Sequence, residues 1–328
     1  MSLEKFNLCS DIYYNNKYIS LYIEKDEELF SFKYQENDNI FINKTIKRPI
    51  EKIGNIDIND GFYDLETAYG YGGFYTNSND AIFINNAMQK YTQKCKDENI
   101  VAEFVRFHPF NKFPINHNNH LDFNMYDRNV VVKELSENIM ASYNAKVRNS
   151  VKRANKKVQI QESENIDKFI ELYNTTMEKN DATDFYFFEK KYYINLLKNN
   201  QIRLYEVLYQ GKAIAMGFFM FSSDIAHYHL SANSDISYKL NSNYALLDTM
   251  FHKAQELDIK YFLLGGGTTI REDDPLLKFK TKFSSKLKPF YISGKIYNKE
   301  VYTKYNKIWE EQANEDIKYF LKYRLEIV

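Results

Sequence analysis

His227 and His229 alternate along the apolar run Ile225 to Ala232, and period-two spacing puts both rings on one face of a strand. Imidazole has the basicity to take a proton from an attacking amine, and the same pair reads equally well as hydrogen-bonded core residues. No third ligand of sensible spacing accompanies them, so no metal is expected. His108, two residues after Arg106, offers similar chemistry. Asp273 and Asp274 either receive a substrate ammonium or cap the turn before Pro275. Six cations crowd a short stretch: Lys146, Arg148, Lys152, Arg153, Lys156 and Lys157. Arg148 and Lys152 stand four apart, so on a helix they can meet one diphosphate. The alternative is a solvated face of an amphipathic helix. Two glycine strings, Tyr69-Gly70-Tyr71-Gly72-Gly73 and Gly265-Gly266-Gly267, let a ligand pass close to backbone or make tight turns. The second is not a dinucleotide fingerprint, because Ile270 stands where a third glycine belongs and Pro275 interrupts the turn.

These residues need elements to position them. The opening reads as short strands at Tyr18 to Ile23, Leu29 to Tyr34 and Asn39 to Asn43, continued extended from Lys44 to Ile50. Ala81 to Asn99 has helical periodicity, Ile100 to Phe107 is a strand, and Asn129 to Lys133 another. A long helix is expected from Ser136, as N-cap, to about Lys157, with Val147, Val151, Ala154 and Val158 as its apolar stripe. The second half runs strand Val158 to Gln161, helix Ile166 to Lys179 and helix Glu189 to Lys198. A meander follows, Arg203 to Tyr209, Ala213 to Phe221 and Ile225 to Ala232, with turns at Gln210-Gly211-Lys212 and Ser222-Ser223-Asp224. Helix Tyr244 to Leu257, strand Tyr261 to Leu264, two late strands and a helix from about Lys299 complete the chain. That element order resembles the GNAT acetyltransferase fold. The expected class is α+β, with two tandem GNAT-like (acyl-CoA N-acyltransferase-like) domains of mixed sheet flanked by helices. The expected divisions are 1–135, 136–298, and a C-terminal helical segment 299–328 packing on the body or back on the first domain.

Composition narrows the partners. The 328 residues carry 44 basic and 44 acidic side chains, and net neutrality argues against a dedicated nucleic-acid binder. The 28 tyrosines and 25 phenylalanines read as compositional bias rather than a stacking surface. Cys9 and Cys95 form neither a metal-ligand spacing nor a disulfide framework. The start lacks a basic segment followed by an apolar core, and the longest apolar run, Ala213 to Phe221, is far short of a membrane span. The expectation is a cytoplasmic protein with peripheral membrane contact at most.

Six strings, in order, resemble one family. They are Tyr69 to Gly73, Glu103-Phe104-Val105-Arg106-Phe107-His108-Pro109, Arg148-Asn149-Ser150-Val151-Lys152-Arg153-Ala154, Tyr228-His229-Leu230-Ser231, Leu264-Gly265-Gly266-Gly267, and Leu277-Lys278-Phe279-Lys280-Thr281-Lys282-Phe283. Together they are similar to the Fem-type peptidoglycan aminoacyltransferases and their relatives in cell-surface polysaccharide pathways. The resemblance implies transfer of an activated acyl group to an amine of an envelope precursor. It places Lys280 at the lysine of a Phe-Lys motif, near the reacting carbonyl; His229, from its own chemistry, is the candidate proton acceptor. The candidate substrate contacts within these strings are Tyr71, Gly72, Gly73, Arg106, His108, Arg148, Lys152, Gly265, Gly266, Gly267 and Phe279. Read without it, Lys280 is one lysine of a charged stretch with Lys278, Lys282 and Lys286.

The donor stays open. The charged helical hairpin carried by peptidoglycan-bridge members is absent. Acetyl-CoA users of this fold place a glycine-bearing turn before their main helix, and here that stretch is Lys239-Leu240-Asn241-Ser242-Asn243-Tyr244-Ala245. No tightly bound cofactor is expected, with acyl-CoA or aminoacyl-tRNA as donor. The expected partners are an anionic envelope precursor or nucleotide-sugar, and tRNA. The reading left beside this one is a non-catalytic module that binds a glycan or nucleotide-sugar.

Overall fold

A computed structural model describes residues 7–135, 138–180, 187–313 and 317–327. The chain divides into two compact units. The first comprises Met1–Cys9, Tyr13–Asp127 and Pro289–Val328; the second comprises Ser10–Ile12 and Arg128–Lys288. The expected divisions after residues 135 and 298 therefore differ from this one. Strands Phe123–Glu134 and Leu287–Ile296 each contribute to both units.

In the second unit, strand Lys212–Phe221 is central and buried along eight consecutive residues. A strand covered on both faces must be apolar throughout rather than alternating. Phe219 and Phe221 join a core with Val147 and Val151 of helix Ala145–Asn155 and with Leu247, Met250, Phe251 and Ala254 of helix Ser242–Glu256. Phe218, its side chain on the other face, meets Phe169 and Tyr193 edge-on or stacked, from helices Ile166–Lys179 and Lys190–Leu197. Neighbours of the central strand are Ile202–Tyr209 and Ile225–Asn233, both antiparallel. Gln159–Ser163 pairs beyond the first. Tyr261–Gly265 runs parallel to Ile225–Asn233 and antiparallel to residues 131–134.

The first unit has the same construction. Strand Glu28–Glu36 pairs antiparallel with Asn39–Pro49, which pairs with Tyr63–Glu66. Tyr63–Glu66 runs parallel to Ile100–Arg106, and that strand is antiparallel to residues 292–296. Ile100–Arg106 is again covered on both faces. Ile100 and Val105 pack under helix Ala81–Asp97. Val101, Ala102 and Phe104 pack with Tyr305 and Trp309 of helix Lys299–Ala313. Each unit is thus a mixed sheet with helices on both faces, an α+β fold.

Several expectations need correction. Tyr18 to Tyr22 is helical: helix Asn16–Ile19 continues into a turn at Ser20–Tyr22. Asn15 caps it by accepting from Lys17 N at 2.8 Å, and Tyr18 and Tyr22, four apart, share a hydrogen bond at 3.0 Å. The basic helix begins eight residues later than expected, at Ala145, because Asn144 accepts from Val147 N at 3.0 Å. Ser136, the expected cap, lies outside the described residues. Two short helices, Asp235–Leu240 and Pro275–Lys280, were not foreseen. Among the described residues there is one late strand, Leu287–Ile296, instead of two.

Candidate active site

The second unit gathers the glycine string, Asp274 and Lys280 around the end of one strand. Tyr261–Gly265 leaves the sheet at Gly265, whose φ of +78° lies in the left-handed region that favours glycine. Asp274 then starts helix Pro275–Lys280 by accepting from Leu276 N and Leu277 N, both at 2.9 Å, with proline in the first turn where its missing N–H costs nothing. Lys280 ends that helix. It is 8% exposed, and its Nζ donates to Gly266 O at 2.7 Å. Burial pushes the Lys280 ammonium down to about 7; Asp274 opposes the shift and Arg128 adds to it. Arg128 itself donates to Gly267 O at 3.0 Å. The lysine is therefore neither a surface residue of a charged stretch nor an open cleft group. It is a buried cation held against the turn, and it changes charge near neutrality.

The sheet is interrupted at the same end. Ile225–Asn233 and Tyr261–Gly265 pair only through Ile225↔Tyr261, Ala226↔Phe262 and His227↔Leu263. Opposite Phe218 and Phe219 the register slips, so that Leu230 and Tyr228 are paired and His229 is the extra residue. An added residue leaves a local kink and re-aims side chains. His229 meets the Tyr192 hydroxyl at 2.9 Å, and burial, with His227 adding, pushes it down to about 3. Burial thus works against the protonated form of His229. His227 is buried and sits 2.8 Å from Asp11 Oδ2.

Phe279 lies between Tyr244 and Phe283, with ring centroids 5.3 and 5.4 Å away, on the rim of the core. Its ring is partly buried and contributes packing at that rim. Lys282 is exposed and donates to the Tyr244 hydroxyl at 3.1 Å. On the basic helix, Val147, Val151 and Ala154 face the core, while Lys146, Lys152, Arg153, Lys156 and Lys157 are exposed. Arg148 is partly buried and donates to Tyr143 O. Among the described residues none of these six cations forms an ion pair.

The remaining expected contacts belong to the first unit. Gly72 N donates to Arg106 O at 2.8 Å, and Gly72 O accepts from His108 N at 3.0 Å and the Tyr14 hydroxyl at 2.8 Å. A Cβ on Gly73 would stand 2.7 Å from Val105 and Phe107, and φ there is +89°. These glycines are small because the chain's own side chains fill the space. Tyr71 packs edge-on against Tyr13, His108 and Phe290. His108 is fully buried and accepts from Phe110 N at 3.2 Å. Arg106 pairs with Glu66 at 2.8 Å.

Sequence reasoning missed Arg128, Tyr192 and Asp11, whose partners lie far along the chain. Asp274 carried a readable signal, Asp-Asp-Pro after two threonines.

Residues 141–280 match the family model of the acetyltransferase (GNAT) domain. Among solved structures the chain is similar to FemX, at 13% identity over 92% of this chain and 95% of that one, with a TM-score of 0.70. It is also similar to L-PGS from Bacillus licheniformis, at 12% identity over 82% and 83%, with a TM-score of 0.52. A third likeness is the C-terminal domain of a protein proposed as a lysylphosphatidylglycerol synthetase, from Agrobacterium fabrum. There the identity is 14% over 82% and 84%, with a TM-score of 0.51. No curated protein sequence matches. The chain carries a GNAT acyltransferase domain over residues 141–280. Its fold as a whole is similar to that of FemX.

Proposed function

We propose that this protein transfers an activated acyl or aminoacyl group to an amine of an anionic cell-envelope precursor, with Lys280 as the group that serves the reacting carbonyl. In this reaction the neutral amine nitrogen attacks the carbonyl carbon, a tetrahedral oxyanion forms, and it collapses with cleavage of the bond to the carrier's oxygen or sulfur, which leaves with the proton the amine gives up. Positioning and oxyanion stabilisation supply most of such a rate. The observation that carries the reading is a buried ammonium, donating to Gly266 O at 2.7 Å, at the end of a strand whose parallel neighbour pairs with it for three residues only. The six cations between Lys146 and Lys157 supply the charge to meet the phosphates of donor or acceptor.

On the donor, the stretch before helix Ser242–Glu256 favours a carrier other than CoA. The short helix Asp235–Leu240 fills it, and Ser237 and Ser242 hydroxyls lie 2.6 Å apart. Asn241 takes the left-handed conformation at φ 56°. We therefore place aminoacyl-tRNA first and acyl-CoA second. Among the described residues no helix is long and apolar enough to cross a membrane, and we propose a cytoplasmic site of action.

The test is a thermal-shift series with CoA thioesters, aminoacyl-tRNA and nucleotide-linked amino sugars, followed by transfer assays with the ligands that stabilise. A ligand of the native state raises its melting temperature. Stabilisation by a donor together with amide formation on an amino sugar or stem peptide supports the proposal. Stabilisation by the sugar alone, with no transfer from either donor class, overturns it in favour of a binding module.

A further inference from the structure

The carboxylate of Asp274 is 2% exposed and accepts six hydrogen bonds. Thr268 donates through N at 3.1 Å and Oγ1 at 2.7 Å, Thr269 through N at 3.0 Å and Oγ1 at 3.1 Å, and Leu276 N and Leu277 N complete the set. A carboxylate offers about four lone-pair sites, so none is left for a substrate ammonium, and that expected role of Asp274 falls away. Burial opposes its charge, but the hydrogen bonds from Leu277, Thr268 and Thr269 hold the acid well below the usual carboxylate range. A Cβ on Gly267 would stand 2.4 Å from Asp274 Oδ1. The carboxylate thus takes the space a side chain would fill. At the other end of the same segment, Lys280 Nζ binds Gly266 O, and a Cβ on Gly265 would come within 3.3 Å of it. Residues 265–280 are closed on themselves by two buried groups of opposite charge. Arg128, from the neighbouring strand, is the other charged group acting on Lys280.

We propose that Asp274 is a positioning residue that fixes both the place and the charge of Lys280. The carboxylate builds the helix turn that carries the lysine, pins the glycine turn that receives its hydrogen bond, and keeps the ammonium protonated against burial and Arg128. This rests on the reading of Lys280 as the catalytic group, and the experiment separates the two.

The measurement is the titration of Lys280 in the full chain carrying isotope-labelled lysine, followed through the Cε shift and assigned with Lys280→Arg. Asp274→Asn keeps the shape and removes the charge. It is expected to lower the Lys280 midpoint by about one pH unit and to move the pH profile of transfer by the same amount. Gly267→Ala keeps every charge but displaces the carboxylate, and it should lower the midpoint in the same direction by less. An unchanged midpoint in Asp274→Asn overturns the proposal. Should that variant fail to fold, an unchanged midpoint in Gly267→Ala does so. A shifted midpoint with wild-type transfer by Lys280→Ala leaves the positioning intact and refutes the catalytic reading instead.

Discussion

Glu103 is a carboxyl placed where no water reaches it, and replacing it by glutamine should remove a specific pH dependence. It is fully buried in the first unit. It accepts from Asn43 Nδ2 at 2.6 Å, from the Tyr91 hydroxyl at 2.8 Å and from the Tyr297 hydroxyl at 2.7 Å. Burial pushes the acid up to about 7 from 4.5, although the three hydrogen bonds and Lys295 work against it. Cys95 lies in the same cluster and is itself pushed up by burial. Because the folded form holds the proton more tightly than the unfolded chain, stability is greatest in acid. It falls as pH rises from the unfolded value to the folded one, then levels off. At about 1.4 kcal/mol per unit the full effect is about 3 kcal/mol. Between pH 5 and 8 roughly 2.5 kcal/mol of it is traversed. Glu103→Gln cannot ionise, and its amide can serve the Asn43 Oδ1, which has no partner. The assay is urea unfolding followed by the emission of the single tryptophan, Trp309, buried in the same unit. With a slope of about 2 kcal/mol per molar, the wild-type midpoint should fall relative to the variant by about 1 M from pH 5 to 8. A constant difference across that range would show that Glu103 is ionised throughout, and the argument from burial would be wrong.

Lys280→Ala should lower kcat about a hundredfold, worth about 2.7 kcal/mol, while Lys282→Ala costs much less and Lys280→Arg rescues only in part; equal small losses at both lysines would refute a specific role. Because Lys280 is buried and bonded to Gly266, its loss should also cost about 1 kcal/mol of stability. Asp64 is fully buried between Arg48 at 2.9 Å and Arg324 at 2.7 Å. Asp64→Ala leaves Arg324 without its carboxylate and Arg48 with Glu66 alone, and should destabilise by about 3 kcal/mol, read as an earlier loss of Trp309 emission; a melting temperature within a degree or two of wild type contradicts this. Lys152→Ala combined with Arg153→Ala should leave stability within about 0.5 kcal/mol and weaken binding of a phosphate-bearing donor, with a shallower salt slope; unchanged affinity at low and high salt would make this helix a solvated face.

The second unit was legible because its signals are local. Three strands joined by tight turns, then a helix and a strand, announce themselves through period-two and period-3.6 patterns. The short helices were not, because Asp235–Leu240 and Pro275–Lys280 have six residues each, fewer than two full turns. Tyr18 to Ile23 misled because aromatic and β-branched residues favour strands, while burial of Tyr18 and Ile19 and a capping asparagine decided otherwise. Lys280 could be picked from its Phe-Lys string, but its burial depends on Gly266, fourteen residues away, and on Arg128. The glycines at 72 and 73 suggested room for a ligand, yet Val105, Phe107 and Tyr14 already occupy it.

The discontinuity of the first unit has a consequence for synthesis. Its sheet takes a strand from residues 292–296, and its core takes Tyr305, Trp309, Leu321 and Tyr323. A ribosome delivers those pieces after all of the second unit. The second unit draws all but Ser10–Ile12 from one uninterrupted stretch, so its core can close while residues 13–127 still wait for their last strand and helix. Domains usually mature in the order in which they are made. Here the half that emerges first is the half that finishes last, and until then Val101, Ala102 and Phe104 lack the helix that buries one of their faces. The nascent chain is therefore most open to chaperones, and to aggregation, through its earliest strands.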